Sequence, residues 1–198
     1  IPNSSIHSFE PDPDTYETLK YNTKECKNVF LNNLGITNAE NVGNTLFYKH
    51  SHSKLNSLNK INIEGKTIQT HLKSKRNDPA NNLTSLYNRN ILVDLTTLDL
   101  YCKENNIRTI DLLKLDTQGH ERECLEGAGD ILNRTKVIYT EIMFFDMYEI
   151  SYNFYDIEKL IVPKGFSLYS IPRSHNEKQS DKIGWVEAIY CNLNYFSL

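Results

Sequence analysis

No two of the four cysteines, Cys26, Cys102, Cys124 and Cys191, stand at C-x-x-C spacing, so the paired ligands of a structural zinc site are missing. They read as isolated thiols, the pattern of a reduced, cytoplasmic compartment, and no metal site is expected. Positive charge is short as well. The 22 lysines and arginines are outnumbered by 25 aspartates and glutamates, giving a net charge of -3. That balance excludes an extended phosphate-binding surface, so no nucleic-acid partner is expected and a small or weakly charged substrate fits better. No apolar run approaches the ~18 residues of a membrane span, and the start lacks the basic-then-apolar form of a leader, so no membrane partner is expected either. Internal repeats and a second domain are also missing. The sequons at Asn3, Asn82 and Asn133 are what an asparagine-rich chain produces by chance.

What is present suits one folded α/β domain spanning 1–198. Hydrophobic residues make up 39% and charged residues 24% of the 198 positions, near globular averages. A chain of this size buries roughly two-thirds of its unfolded surface. Ser5 to Glu10 reads as a strand, and Asp12-Pro13 then supplies a capping carboxylate and a proline for the first turn of a helix. Ile1 is not an initiator methionine and the first strand comes almost at once, so further sequence is expected before it. Asn28 to Ile36 reads as a second extended run and Thr45 to Tyr48 as a short partner strand. From about 49 to 90 the chain is polar, with Ile61 to Thr70 the only strand candidate, and reads as a surface excursion.

Regular alternation then returns: strand Ile91 to Leu95, a helix through Leu98 and Tyr101, strand Ile110 to Leu115, a helix around Glu121 to Glu126, strand Val137 to Ile142, and a helix from Tyr155 to Ile161. Apolar runs without period-two alternation predict a mostly parallel sheet with helices on both faces. Phe166 to Ile171 and Val186 to Cys191 follow one another as an antiparallel hairpin. A nicotinamide dehydrogenase would instead end on a parallel strand.

In such sheets ligands sit beyond the carboxyl ends of the strands. Glu10 is placed there, where a carboxylate accepts hydrogen bonds from ribose hydroxyls; the alternative is a solvated loop acid beside a cap at Asp12. Asn33-Leu34-Gly35 offers a backbone amide and an apolar side chain to a purine, or is a plain turn. In Leu113-Lys114-Leu115-Asp116-Thr117-Gln118-Gly119-His120-Glu121, an acid follows an apolar strand. Asp116 could hold a cofactor amine, bind a cation, act as a base, or merely cap the helix. His120 is a second proton acceptor or a structural histidine. Glu141, inside the apolar strand Val137 to Met143, has to be paired, at the strand end, or shifted in pKa. With Asp116 it would bracket one substrate hydroxyl.

Together these stretches resemble the FkbM family of S-adenosylmethionine-dependent methyltransferases. Phe9-Glu10-Pro11-Asp12-Pro13 is similar to its F-E-P-x-P signature, Leu98-Asp99 to its T-L-D, and Leu113 to Glu121 to its K-I-D-x-E/Q-G-x-E motif. Cys124 to Ala128 and Glu187-Ala188-Ile189-Tyr190 stand where the family has V-L-K-G-A and D-A-L-F. The resemblance implies a Rossmann-like class I methyltransferase fold using S-adenosyl-L-methionine. Glu10, Asp12, Asn33, Leu34 and Asp116 would lie on the cofactor side, and Asp116, Glu141 and His120 would be catalytic. It implies methyl transfer to a hydroxyl of a sugar or other small-molecule or glycan acceptor. Gln118 replaces the commoner glutamate, which weakens a metal site there. The family's first core strand and its D-x-G-x-N-x-G-type loop would lie before Ile1. Without that loop the alternative is a non-catalytic binding module.

Overall fold

The computed structural model describes residues 4–50, 53–66, 68–69, 89–150, 152–176 and 182–196. Residues 70–88, and with them much of the polar excursion and the end of its expected strand, lie outside the described residues, as do Asn3 and Asn82.

Strand β1 (Ile6–Phe9) leads to helix α1 (Pro13–Asn22) and back to β2 (Val29–Asn32), which pairs parallel to β1 with Ile6 opposite Val29 and Phe9 opposite Asn32. Asp12 caps α1 as its sequence suggests: its side chain accepts from the Asp14 N–H, and Pro13 occupies the first turn, where its missing N–H costs nothing. The single extended run expected from Asn28 to Ile36 is broken. The chain leaves β1 after Asn32, and β3 (Gly35–Ile36) pairs instead with β5 (Arg89–Thr96). The Leu95 side chain packs over Gly35, where a Cβ would lie 2.5 Å from Leu95 Cδ2. β4 (Gly43–Lys49) runs antiparallel to β5, with Gly43 opposite Leu95 and Lys49 opposite Arg89.

The second half follows the expected order. Helix α2 (Leu98–Glu104), capped by Thr97, precedes β6 (Ile110–Leu115). Helix α3 (Glu121–Gly127) and a 3-10 segment (Gly129–Arg134) lead to β7 (Thr135–Met143). Helix α4 (Phe154–Ile161) begins with a reciprocal capping box between Asn153 and Asp156. β8 (Phe166–Asn176) and β9 (Ile183–Asn192) close the chain as the expected antiparallel hairpin, on the sheet β6-β7-β9-β8.

The strands are distributed over three sheets of two, three and four strands. The parallel pairings are β1 with β2, β3 with β5 and β6 with β7; β4 with β5, β7 with β9 and β8 with β9 are antiparallel. The result is a mixed α/β arrangement, with β4 and the terminal hairpin supplying the antiparallel half. Among the described residues, β1 and β6 each have one edge with no partner strand. Burial alternates along β7 and β9: Ile138, Thr140 and Ile142 face the core, whereas Tyr139, Glu141 and Met143 are half-buried. One face of these strands is thus buried more deeply than the other. Leu125, Ile131, Ile157 and Tyr190 complete the main core around this sheet, and Phe9 and Ile36 pack against it from the first half.

A second correction concerns the excursion. Ser57 bridges to Tyr48 and Ile61 to Tyr148, and the backbone at 66 and 68–69 is helical rather than extended. Ile61 and Ile68, seven residues apart, are buried against Tyr148 with Met143 and Met147 alongside. Burial of two isoleucines decides the matter over the polar composition around them. We refer to residues 53–66 and 68–69 as the strap. No helix among the described residues is long and apolar enough to cross a membrane.

Candidate functional site

Leu115 at the end of β6 pairs with Thr140 of β7, so the next residues, Asp116 and Glu141, fall beside one another at the carboxyl ends of two adjacent parallel strands. Asp116 is half-exposed and ion-paired with Lys114 at 2.9 Å; Gln118 Nε2 donates to its other oxygen at 3.1 Å. Glu141 is opposite Glu187 in the antiparallel register with β9. Burial pushes the Glu141 carboxyl up to about 7, helped by the negative charges of Asp116, Glu121 and Glu187 and opposed by Lys114. Glu187 is itself engaged by the Tyr139 hydroxyl and by Arg173.

After Asp116 the chain makes a tight turn. Gln118 (φ 54°) and Gly119 (φ 89°) both adopt left-handed backbone, and a Cβ on Gly119 would meet the Tyr148 ring at 2.6 Å. Glu121, wholly buried at the start of α3, folds back and accepts from the N–H groups of Thr117 (2.6 Å) and Gly119 (3.1 Å). Burial raises its carboxyl to about 7; those hydrogen bonds oppose the rise and the Asp116 charge adds to it. Tyr148 roofs this turn with its hydroxyl 3.5 Å from Gln118 Oε1, and burial together with the Glu121 and Glu141 charges pushes its pKa up, so the phenol stays protonated. Gly119, Met143, Phe145, Tyr148 and Tyr152 line a recess beside it.

His120 is directed elsewhere. Its Nε2 lies 3.0 Å from the Thr37 hydroxyl, and its buried Nδ1 is 3.7 Å from Glu123 with no hydrogen-bond partner among the described residues. Burial holds the ring down to about 4, against the pull of Glu126, so it is neutral near pH 7. The structure thus brings Asp116 to Glu141 and Glu121, and His120 to Thr37.

At the end of β1, Glu10 Oε1 accepts from the Asp12 N–H at 2.9 Å, and no described group donates to Oε2. Burial raises the Glu10 carboxyl, with that N–H opposing. Asp12 is fully engaged by the chain itself: Lys49 at 2.8 Å and Thr15 at 2.9 Å, with Asp14 N–H and Asn56 completing its set. Asn33 donates to the carbonyls of Glu10 and Pro11, which sets Leu34 just beyond the ends of β1 and β2. Among the described residues no group of three or more His, Cys, Asp or Glu is arranged to hold a metal ion.

These shifts fix how stability depends on pH. Glu121 and Glu141 have folded values above the unfolded one, as do Glu10 and Glu123 more weakly, so the folded state binds protons more tightly and loses stability as pH rises from about 4.5 through about 7. His120 and His7, lowered by burial, act in the opposite sense below their unfolded value. The glutamates outnumber them, so thermal melts should give a lower Tm at pH 7.5 than at pH 5.5; a Tm that climbs across this window would contradict the assignment.

Sequence reasoning passed over Glu121, Ser57, Asn59 and Tyr148. Glu121 closes the Leu113 to Glu121 motif and opens α3 two residues after Gly119; the others sit in polar or aromatic stretches without a distinguishing pattern.

The fold is mixed α/β, with Asp116 and Glu141 grouped at the carboxyl ends of adjacent strands. The chain belongs to the methyltransferase FkbM domain family, whose model matches residues 3–168. It is similar to the 2-O-methyltransferase NoeI of Sinorhizobium fredii (strain NBRC 101917 / NGR234), at 26% identity over 152 residues, covering 75% of this chain and 57% of that protein. The chain therefore spans little more than half the length of this curated relative. No solved structure matches it.

Proposed function

We propose that the chain is the greater part of an S-adenosylmethionine-dependent O-methyltransferase acting on a hydroxyl of a sugar or other small-molecule or glycan acceptor. The observation that carries this reading is Asp116 beside Glu141 at the ends of adjacent parallel strands, with the Glu141 carboxyl poised near 7, in a chain of a methyltransferase family. The class I sheet follows as part of the proposal: the edges of β1 and β6 that have no partner strand among the described residues would flank one further central strand, joining β2-β1 to β6-β7-β9-β8.

The residues fit the cofactor. Glu10 has one carboxylate oxygen without a donor among the described residues, suited to a ribose hydroxyl, and Asp12 fixes Glu10 through its N–H while capping α1. Leu34 offers an apolar side chain on the same side. When bound, S-adenosylmethionine supplies an activated methyl group. The protein's task is then to align the acceptor oxygen and take its proton. The methyl's bond to sulfur would break as the new C–O bond forms, leaving S-adenosylhomocysteine, and the hydroxyl proton would pass to Asp116 or Glu141. A carboxyl near 7 is well matched to that exchange at neutral pH, and Lys114 steadies the charge on Asp116.

Calorimetric titration of S-adenosylhomocysteine into the full-length protein tests the reading. Micromolar binding is expected, weakened about tenfold by Glu10→Gln through loss of a charged hydrogen bond. Absence of binding to the full-length protein would count against it.

A further inference from the structure

Gln118 and Gly119 are the only adjacent residues with positive φ among those described, and they immediately follow Asp116-Thr117. Glutamine adopts this conformation only when its surroundings hold it there. The amide side of the turn is held by Glu121, which takes the Thr117 and Gly119 N–H groups. The carbonyl side is held by the strap. Ser57 Oγ donates to the Gln118 carbonyl at 2.6 Å and accepts from the Asn59 N–H at 2.9 Å; Asn59 Nδ2 donates to the Gly119 carbonyl. Both side chains are buried, Ser57 at 0% and Asn59 at 5% exposure. Solvated loop residues would have no such partners.

The strap is in turn anchored at the far end of the site. Ser57 exchanges both backbone hydrogen bonds with Tyr48, Asn56 Oδ1 accepts from the His50 N–H, and Asn56 Nδ2 and Lys49 Nζ both reach Asp12. A continuous set of hydrogen bonds thus runs from the cap beside Glu10 to the turn beyond Asp116.

We infer that Ser57 and Asn59 are positioning residues for methyl transfer, acting through the Gln118–Gly119 turn to keep Asp116 beside Glu141. This rests on the methyltransferase reading of that site. Neither residue touches the reacting atoms; their effect is on where Asp116 stands.

The informative variant is Asn59→Asp, equal in size but presenting a carboxylate oxygen to the Gly119 carbonyl in place of the donating amide, with Ser57→Ala as a second. In the full-length protein, methyl transfer from S-adenosylmethionine to simple sugars, amide hydrogen exchange at Thr117 and Gly119, and S-adenosylhomocysteine binding are measured together. Both variants should lower kcat by tenfold or more with KM for the donor within twofold. In Ser57→Ala, which adds no charge, the acid limb of the pH–rate profile should move to lower pH as the Asp116 charge withdraws from Glu141, and in both variants exchange at the two amides should accelerate at least tenfold. Unchanged kcat, or a fall matched by equal loss of donor binding without movement of the profile, overturns the inference. If the wild-type protein neither binds S-adenosylhomocysteine nor transfers methyl, the methyltransferase reading fails, and the inference about catalysis falls with it. Exchange then still decides whether the strap holds the turn: unchanged rates at Thr117 and Gly119 would show that it does not.

Discussion

Asp116→Asn should lower methyl transfer by a factor of about 10² to 10⁴, the usual worth of a positioned proton acceptor, while S-adenosylhomocysteine affinity changes by no more than about threefold. The substitution keeps the side chain's shape and one of its acceptor oxygens, so the Gln118 contact can survive, but it removes the charge that Lys114 pairs with at 2.9 Å. It also has a signature that simple damage would lack. Asp116 is among the charges that raise the Glu141 carboxyl, so its neutralisation should move the Glu141 titration to lower pH and carry the acid limb of residual activity with it. Steady-state rates from pH 5 to 9 on both proteins give the test. Turnover equal to wild type would remove Asp116 from the chemistry; a reduced rate with an unmoved profile would separate Asp116 from Glu141.

Glu121→Ala should have the largest effect on stability. Its carboxylate is wholly buried and serves the amides of Thr117 and Gly119, so truncation strands two donors next to a new cavity. A buried donor left unpaired costs about 1 to 3 kcal/mol, and the lost volume adds to it, so a loss of about 3 to 5 kcal/mol is expected. Against a total stability on the order of 5 to 15 kcal/mol, that is a large share. Urea denaturation is best done at pH 5.5, below the raised value of Glu121, so that relief of its ionisation does not mask the loss. A loss under 1 kcal/mol would mean that the turn finds other acceptors.

Where local pattern and tertiary burial agree, the sequence was legible. Asp12-Pro13 announced a helix start because capping is a local event, and the final hairpin was visible because two apolar runs met without a helical period between them. Asp116 and Glu141 could be placed together because the alternation of strand and helix makes their strands neighbours. The strap was illegible for the opposite reason. Ser57 and Asn59 are buried by partners sixty residues away, and nothing in an asparagine-rich stretch separates them from solvated neighbours. His120 shows the same limit: its place in the motif put it near Asp116, yet the turn through Gln118 and Gly119 carries its ring to Thr37.

The open sides of β1 and β6 bear on the colloidal behaviour of the chain. Among the described residues neither edge has a partner strand, and Ile6 is 44% and Leu112 57% exposed. Such edges are adhesive, because any extended segment laid along them gains hydrogen bonds and apolar contact together. A net charge of -3 on 198 residues gives only weak mutual repulsion to hold copies apart. Solubility therefore depends on what covers these two edges more than on the strength of the core behind them.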